Sequence, residues 1–225
     1  MISCLVADCS PLEDQQAYGR AYSLLSGARR LKADSFAFQK DRALSAAAGL
    51  FIRLVEASFG EVSIDGNGKP HAPGIEFNLS HSGRYVAFAA SDLPVGVDIE
   101  GIGHNMDIAS SVMTPEEYSD FSEISDEGLF ASIWTSKESY MKATGLGFRL
   151  APDSFRVLYG RELRCPDPGM TMSQLPAPEG YRLSVCSADK GCDVRRIGID
   201  ELMDARTLDD IAERSVGNPE HEMEK

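Results

Sequence analysis

The stretch FAASDLPVGVDIE at residues 88–100 recurs in weaker form as VCSADKGCDVRRIGIDE at residues 185–201. Each copy contains the alternation of apolar with small or acidic residues that is typical of a β-strand. Each copy also follows a segment of helical periodicity and further β-type pieces. The repeat predicts an α+β fold of two similar α+β subdomains, related by a pseudo-twofold axis, with a cleft between them.

Helix and strand signals come in the same order in both halves of the chain. Apolar residues recur at helical spacing over about 35–58, and β-type pieces follow at 62–64, 75–79, 85–90 and 95–99. In the second half, Thr114, Pro115 and Glu117 form a strong helix start, because the Thr can cap the helix, the Pro suits its first position and the Glu follows three residues after the cap. A longer helix is predicted at 129–144, followed by strands at 155–159, 181–187 and 194–199.

These signals divide the chain into an N-terminal α+β half at residues 1–102 and a C-terminal α+β half at residues 103–202. Residues 203–225 remain as an acidic C-terminal tail. From Asp200 to Lys225 the chain has nine acidic and three basic residues, and few apolar ones. We therefore expect this segment to be loosely attached to the fold.

Composition excludes several classes of function. The 225 residues include 22 Lys and Arg against 35 Asp and Glu, so the net charge of -13 disfavours binding to nucleic acid or to anionic membranes. The five cysteines are odd in number and form no Cys-x-x-Cys pair, which argues against a disulfide framework and a zinc site. No apolar run approaches the roughly 18 residues of a membrane span. We expect a cytoplasmic protein.

Residues 95–100, VGVDIE, place two carboxylates on one side of a predicted strand. Alternate side chains of a strand share a face, so Asp98 and Glu100 point together over Gly96, and the apolar residues point to the opposite face. Convergent carboxylates suit a hard cation such as Mg²⁺, which also accepts water and phosphate oxygens. The alternative is a strand edge with solvated acids.

Residues 134–142, WTSKESYMK, supply a third carboxylate and two ammonium groups. Glu138 and Lys142 are four residues apart and therefore lie on one helix face, with Lys137 beside them. An ordinary surface pair would show the same spacing. Together with Asp98 and Glu100, however, these groups complete what Mg²⁺ and a diphosphate need.

Two further pieces are suited to phosphate. The Gly-rich turn GNGKP at residues 66–70 lets backbone approach a phosphate, and Lys69 adds a positive charge. Residues 77–83, FNLSHSG, add Ser80, His81 and Ser82 as donors near a turn. Neither piece has the spacing of a Walker phosphate loop.

In this order and spacing, the four pieces resemble the 4'-phosphopantetheinyl transferases of the larger, surfactin-synthetase-activating type. The matching segments are 68–70, 77–82, 95–100 and 134–142, and the chain length also fits. The resemblance implies two similar halves forming a pseudo-dimer in one chain, and hence a monomer. It implies transfer of the phosphopantetheine arm of coenzyme A to a serine of an apo acyl or peptidyl carrier protein, with release of adenosine 3',5'-bisphosphate.

The resemblance also implies roles for individual residues. Mg²⁺, with Mn²⁺ as an alternative, would be held by Asp98, Glu100 and Glu138. Catalysis would rest on Asp98, Glu138 and Lys142, with Lys142 on the attacked phosphate and Glu138 either a metal ligand or the base. The implied coenzyme A contacts are Lys69, Pro70, Ser80, His81, Ser82, Lys137 and Lys142.

One departure from the family pattern concerns the 3'-phosphate of coenzyme A. The family usually has an Arg in the N-terminal helix for this group, but Leu44 occupies that register here. Arg42 or Lys40 is the expected substitute. For carrier docking, the family precedent indicates residues 114–121, with Tyr118 and Phe121 facing the carrier; the alternative is that these aromatic residues pack internally.

Asp200 and Glu201, in the second copy of the repeat, are not expected to form a metal site. They are adjacent, so in a strand they would point to opposite faces. Two other functions stay open for the chain. One is a non-catalytic module that binds coenzyme A or a carrier protein, and the other is a different Mg²⁺-dependent phosphotransferase.

Overall fold

The computed structural model describes residues 1–66, 68–104 and 106–211. The first half contains β1 (Ile2–Asp8), α1 (Gln15–Leu24), α2 (Gly27–Asp34), α3 (Gln39–Phe59), β2 (Ser63–Ile64), β3 (Pro70–His71), β4 (Glu76–Ser82), β5 (Tyr85–Ser91) and β6 (Val95–Gly101). The second half contains α4 (Ala109–Val112), α5 (Pro115–Ser122), α6 (Leu129–Ala143), β7 (Leu158–Tyr159), β8 (Glu162–Leu163), β9 (Thr171–Leu175), β10 (Tyr181–Ser187), β11 (Cys192–Ile197) and α7 (Ile199–Asp204). The mixture of helices and strands agrees with the predicted α+β class.

The two larger sheets exchange strands between the halves. One sheet has the order β11-β1-β5-β4, and the other has the order β6-β10-β9. Strand β11 pairs in parallel with β1, whereas β6 leaves the hairpin β4–β5 and pairs antiparallel with β10. A boundary at residue 102 therefore does not separate the two sheets, because each half contributes a strand to the sheet of the other.

Three apolar clusters hold these layers together. Helix α3 packs on one face of the first sheet, where the Phe51 and Phe88 rings stack with their centroids 5.0 Å apart. The two sheets face each other across a second cluster that includes Val97 of β6 and Val185 of β10. The third cluster joins α4, α5 and α6 to the segment around Leu158. Strand β6 is covered on both faces, so nearly all of its residues are buried.

Helix α6 crosses β6 at unusually close range. A Cβ atom on Gly96 would lie 2.1 Å from the Ser139 carbonyl oxygen and 2.4 Å from the Ala143 backbone nitrogen. Only glycine therefore lets the helix backbone approach the strand this closely. The close contact brings the C-terminal half of α6 over Asp98.

Some predicted elements need correction. Strand β1 and helices α1 and α2 were not predicted, although Asp14 and Ser26 cap the two helices by accepting hydrogen bonds from backbone N–H groups. Asp200 and Glu201 lie in helix α7 rather than in a strand, and they pair with Arg20 and Arg195, respectively. The strand geometry on which the expectation about Asp200 and Glu201 rested therefore does not apply, and their absence from a metal site stays a prediction.

The segment after residue 202 is not loosely attached over its first part. Met203, Ala205 and Ile211 are buried in the cluster under α3. Arg53 of α3 donates hydrogen bonds to the carbonyl oxygens of Leu202 at 3.2 Å and Ala205 at 2.7 Å. The predicted acidic tail therefore begins later than residue 203, and residues 212–225 lie outside the described residues. Within the described ranges, no helix is both long enough and apolar enough to cross a membrane.

Replacing Gly96 by Ala should destabilise the protein, because the new methyl group would push α6 away from β6. Overpacking of this kind costs about 1–3 kcal/mol or more. Gly19→Ala is the matched control, since Gly19 lies in α1 with no atom within 4 Å of the added Cβ. The free energy of unfolding of this control should rise by about 0.5–1 kcal/mol, because Ala favours a helix more than Gly does. Urea denaturation measures both changes, and equal stability of the two variants would contradict the close packing.

Candidate active site

A cavity of about 430 Å³ lies between the N-terminal half and α6. Its apolar wall includes Leu44, Ile52, Leu79 and Met141. Its polar wall includes Lys69, His81, Glu138 and Lys142, which the sequence predicted, and Arg29 and Lys32, which it did not; the predicted Pro70 also lines the cavity. The cavity thus joins residues of α2, α3, β3, β4 and α6 in one site, with an apolar part and a basic part.

Polar side chains of β4 bind the open edge of β6. Strand β6 is an edge strand of its sheet, so alternate backbone N–H groups have no strand partner on that side. The side chains of β4 accept those hydrogens. The three contacts are Val97 N–H to Asn78 Oδ1 at 3.1 Å, Ile99 N–H to Ser80 Oγ at 3.5 Å and Gly101 N–H to Ser82 Oγ at 3.3 Å. This side-chain ladder fixes the register in which Asp98 and Glu100 face β4 and α6.

Asp98 is the buried anion of the site. Its Oδ1 accepts hydrogen bonds from Ser80 Oγ and from Lys142 Nζ, both at 2.6 Å. Desolvation raises the pKa of Asp98, and the charge and hydrogen bond of Lys142 oppose that rise. The alternative of solvated acids at a strand edge is therefore wrong for Asp98.

Glu100 lies nearer the surface and is oriented by three donors. Its Oε1 accepts from Ser82 Oγ at 2.7 Å and from the Gly101 backbone N–H at 2.9 Å, and it lies 2.9 Å from His104 Nδ1. His104 was not among the site residues predicted from the sequence. The spacing of four residues from Glu100 was the signal that could have identified this pair.

Glu138 faces the cavity with one carboxylate oxygen that accepts no hydrogen bond from the described residues. Its Oε1 is buried and has no hydrogen-bond partner among the described residues, and its Oε2 lies 3.9 Å from Lys142 Nζ. Desolvation raises the pKa of Glu138; Lys142 opposes this, and Asp98 and Glu100 add to it. A carboxylate that is desolvated and short of positive charge is a suitable cation ligand.

The donor set fits a magnesium ion in its chemistry. Asp98, Glu100 and Glu138 offer carboxylate oxygens, and Glu138 Oε1, at the cavity wall, accepts no hydrogen bond within the described part of the chain. In the described part of the chain, no group of three or more His, Cys, Asp or Glu side chains is close enough to hold a metal ion as it stands. Lys142 occupies the position beside Asp98 instead.

The phosphate-binding pieces predicted from sequence reach the cavity in different ways. Lys69 lines it and lies 3.5 Å from Glu76, and Pro70 lies beside it. His81 also lines the cavity, and desolvation followed by the Lys142 charge lowers its pKa. Ser80 and Ser82 instead face the carboxylates of β6. The two serines therefore orient acidic groups in this structure.

Like Ser80 and Ser82, the predicted coenzyme A contacts Lys137 and Arg42 do not line the cavity. Lys137 is completely buried on another side of α6, where its ammonium group lies 2.7 Å from Glu117 Oε2. Arg42 donates from Nε to the Phe36 carbonyl oxygen at 2.8 Å and is not part of the cavity wall. The basic groups that do line this wall near the helices are Arg29 and Lys32.

The two aromatic residues of segment 114–121, which the sequence predicted to face a carrier protein, differ in their exposure. Tyr118 on α5 is 41% exposed. Phe121 packs on the third apolar cluster, with its ring centroid 6.3 Å from that of Phe130. Internal packing, the alternative for Phe121, is what the structure shows.

Comparison with known proteins gives a consistent result. Residues 94–184 match the model of the 4'-phosphopantetheinyl transferase superfamily. The chain is 31% identical to a 4'-phosphopantetheinyl transferase of Bacillus subtilis over 198 residues, which cover 75% of this chain and 84% of that protein. It is 32% identical to the 4'-phosphopantetheinyl transferase psf-1 of Bacillus pumilus over 203 residues, or 79% and 86% of the two chains.

Replacing Lys142 by Met should destabilise the protein in a pH-dependent way. Breaking a buried ion pair from one side costs about 3–5 kcal/mol, because Asp98 would remain buried without its cation. The pKa of Asp98 would then rise further above its unfolded value, so the folded state would hold the extra proton. The loss of stability should therefore be smaller at about pH 5 than at about pH 8.

Urea denaturation at the two pH values measures this effect. The double variant Asp98→Asn/Lys142→Met removes the buried charge as well and should lose most of the extra pH dependence. If the single variant showed the same pH dependence as the wild type, the buried anion at Asp98 would be contradicted.

Proposed function

Because this chain belongs to the 4'-phosphopantetheinyl transferase superfamily, we propose that it transfers the phosphopantetheine arm of coenzyme A to a carrier protein. The acceptor is a serine of an apo acyl or peptidyl carrier protein, and the second product is adenosine 3',5'-bisphosphate. The observation that carries the proposal is the pair of buried Asp98 and partly buried Lys142, together with Glu138 Oε1, which accepts no hydrogen bond from the described residues and belongs to a side chain at the cavity wall.

The chemistry needs an acceptor for the serine proton and positive charge on the diphosphate. The serine oxygen forms a bond to the β-phosphorus, and the bond from that phosphorus to the bridging oxygen breaks. Glu138 is suited to take the proton, since burial raises its pKa and makes it a stronger base than an exposed carboxylate. Lys142 supplies a positive charge to the attacked phosphate.

Asp98, Glu100 and Glu138 are the residues we assign to Mg²⁺, with Mn²⁺ as a substitute. When bound, the ion would neutralise the diphosphate and polarise it toward attack. The hydroxyl groups of Ser80 and Ser82 hold the first two carboxylates in orientation. Glu138 can bind the ion through one carboxylate oxygen and accept the serine proton on the other. We therefore retain both predicted roles, metal ligand and general base.

The cavity offers complementary groups to the rest of coenzyme A. Lys69 and His81 are assigned to its phosphates, with Pro70 beside them on the wall. Lys32, exposed at the wall, and the neighbouring Arg29 replace Arg42 as the groups for the 3'-phosphate. Lys40, the other residue considered from sequence, is also not part of that wall. Apolar side chains of the cavity wall, such as Leu44 and Ile52, suit the adenine ring of coenzyme A.

We assign the docking surface for the carrier protein to α5 and its surroundings, where Tyr118 is exposed. We propose that the protein acts as a monomer in the cytoplasm, consistent with the free state of its five cysteines. A module that only binds coenzyme A or the carrier is a weaker candidate, because burying Asp98 and Glu138 is costly without a catalytic use.

Intact-protein mass spectrometry of an apo carrier protein tests the proposed reaction. Incubation with the protein, coenzyme A and Mg²⁺ should add the mass of one phosphopantetheine group. The gain should disappear with Asp98→Ala and with EDTA. No gain on several fatty-acid and peptide-synthetase carriers, although coenzyme A binds, would favour the binding module. Absence of coenzyme A binding would contradict the assignment of the cavity.

The 3'-phosphate assignment predicts different effects for two basic residues. Lys32→Ala should reduce the preference for coenzyme A over dephospho-coenzyme A by about tenfold, the effect of one lost charge-assisted contact. Arg42→Ala is the matched control and should keep the preference, because the Arg42 guanidinium group donates a hydrogen bond to the Phe36 carbonyl oxygen instead. Isothermal titration calorimetry with coenzyme A and with dephospho-coenzyme A measures the two affinities. The reverse pattern would restore Arg42 as the 3'-phosphate ligand.

A further inference from the structure

Lys137 and Glu117 form an ion pair that is completely removed from solvent. Both side chains are 0% exposed. The ammonium group of Lys137 lies 2.7 Å from Glu117 Oε2 and donates hydrogen bonds to the carbonyl oxygens of Pro152 at 2.8 Å and Phe155 at 2.5 Å. Three oxygen atoms therefore lie within 2.8 Å of the ammonium group, which has three N–H donors. Because the side chain has no exposed surface, the ammonium group is not accessible to a phosphate of coenzyme A.

Glu117 connects the same pair to a third segment. Its Oε1 accepts hydrogen bonds from the backbone N–H groups of Val157 at 2.8 Å and Leu158 at 2.9 Å. The pair therefore links α5, α6 and residues 152–158. The sequence pattern had suggested that Glu117 helps to cap α5, but only Thr114 does so, by accepting from the Glu117 backbone N–H at 3.2 Å.

The position of Lys137 on α6 relates this link to the active site. Consecutive residues of an α-helix point about 100° apart, so Lys137 and Glu138 face different neighbours. Lys137 faces α5, whereas Glu138 and Lys142 face the cavity. Any rotation of α6 that released Lys137 from Glu117 would also turn Glu138 and Lys142 away from Asp98.

We propose that Glu117 and Lys137 are positioning residues for phosphopantetheinyl transfer, holding α6 at the rotation that presents Glu138 and Lys142 to the cavity. Neither residue contacts coenzyme A. The inference rests on the proposed function and replaces the expectation that Lys137 is a substrate contact. A buried ion pair adds little stability over apolar side chains of the same size, so orientation is the property that it can contribute.

Kinetics of Lys137→Met, with and without Glu117→Gln, test the proposal. At a temperature where circular dichroism shows each variant folded, Lys137→Met should lower kcat by about 10- to 100-fold, the loss expected from a misplacement near 1 Å. The KM for coenzyme A should stay within about twofold, because a misplaced catalytic group affects the transition state rather than ground-state binding. The double variant should recover part of kcat, because it leaves no unpaired charge.

Glu201→Gln is the matched control. It removes the carboxylate from another ion pair between elements, Arg195–Glu201 at 2.9 Å, which joins β11 to α7 away from the cavity. We expect this variant to keep the kcat and KM of the wild type at the same temperature. The control separates a general loss of stability from a specific effect on α6.

Hydrogen exchange of the α6 amides gives a readout that does not depend on turnover. Lys137→Met should lose protection over residues 138–142, and Glu201→Gln should not. A raised KM for coenzyme A with unchanged kcat would show that Lys137 is a substrate contact and overturn the proposal. Unchanged kinetics and unchanged α6 protection in a folded variant would reduce the pair to a structural role and overturn it too. If the wild type transfers nothing to any carrier, the proposed function fails, whereas the exchange result still tests the positioning of α6.

Discussion

The structure depends on the hydrogen bonds by which the β4 side chains bind the open edge of β6. A backbone N–H that is buried without a partner is costly, so an edge strand inside the protein must be satisfied by something other than a strand. Asn78, Ser80 and Ser82 do this at alternate positions. Because the serine hydroxyl groups also donate to Asp98 and Glu100, the contacts that dock the two sheets also orient the acidic groups.

The same docking explains the electrostatics of the site. Strand β6 is covered by α6 on the face that carries its acids, and Gly96 lets the helix approach closely enough to exclude water. Desolvation then raises the pKa of both Asp98 and Glu138, and Lys142 is the cation that compensates. The group formed by Asp98, Glu100, Glu138 and Lys142 therefore contains three carboxylates and one ammonium group. Such a site favours a ligand that brings a divalent cation with it.

Much of the site could be predicted from sequence, because its residues follow local periodicities. Alternation along a strand placed Asp98 and Glu100 together, and the four-residue spacing on a helix placed Glu138 beside Lys142. The burial of Lys137 was not predicted, because adjacent helical residues face different neighbours and the sequence does not show which face meets the cavity. Arg29 and Lys32 were missed because their helix is short and strongly polar, so no run of apolar residues marks it in the sequence. The fold class was predictable, but the exchange of β6 and β11 was not, since sequence repeats do not reveal which sheet a strand joins.

The most direct test is a crystal structure with coenzyme A and Mn²⁺, in which anomalous scattering locates the metal ion. We predict one peak beside Asp98, Glu100 and Glu138, with the Lys142 ammonium group bound to phosphate rather than to Asp98. A cavity filled by coenzyme A with no anomalous peak at these carboxylates, and with Lys142 still paired to Asp98, would contradict this prediction.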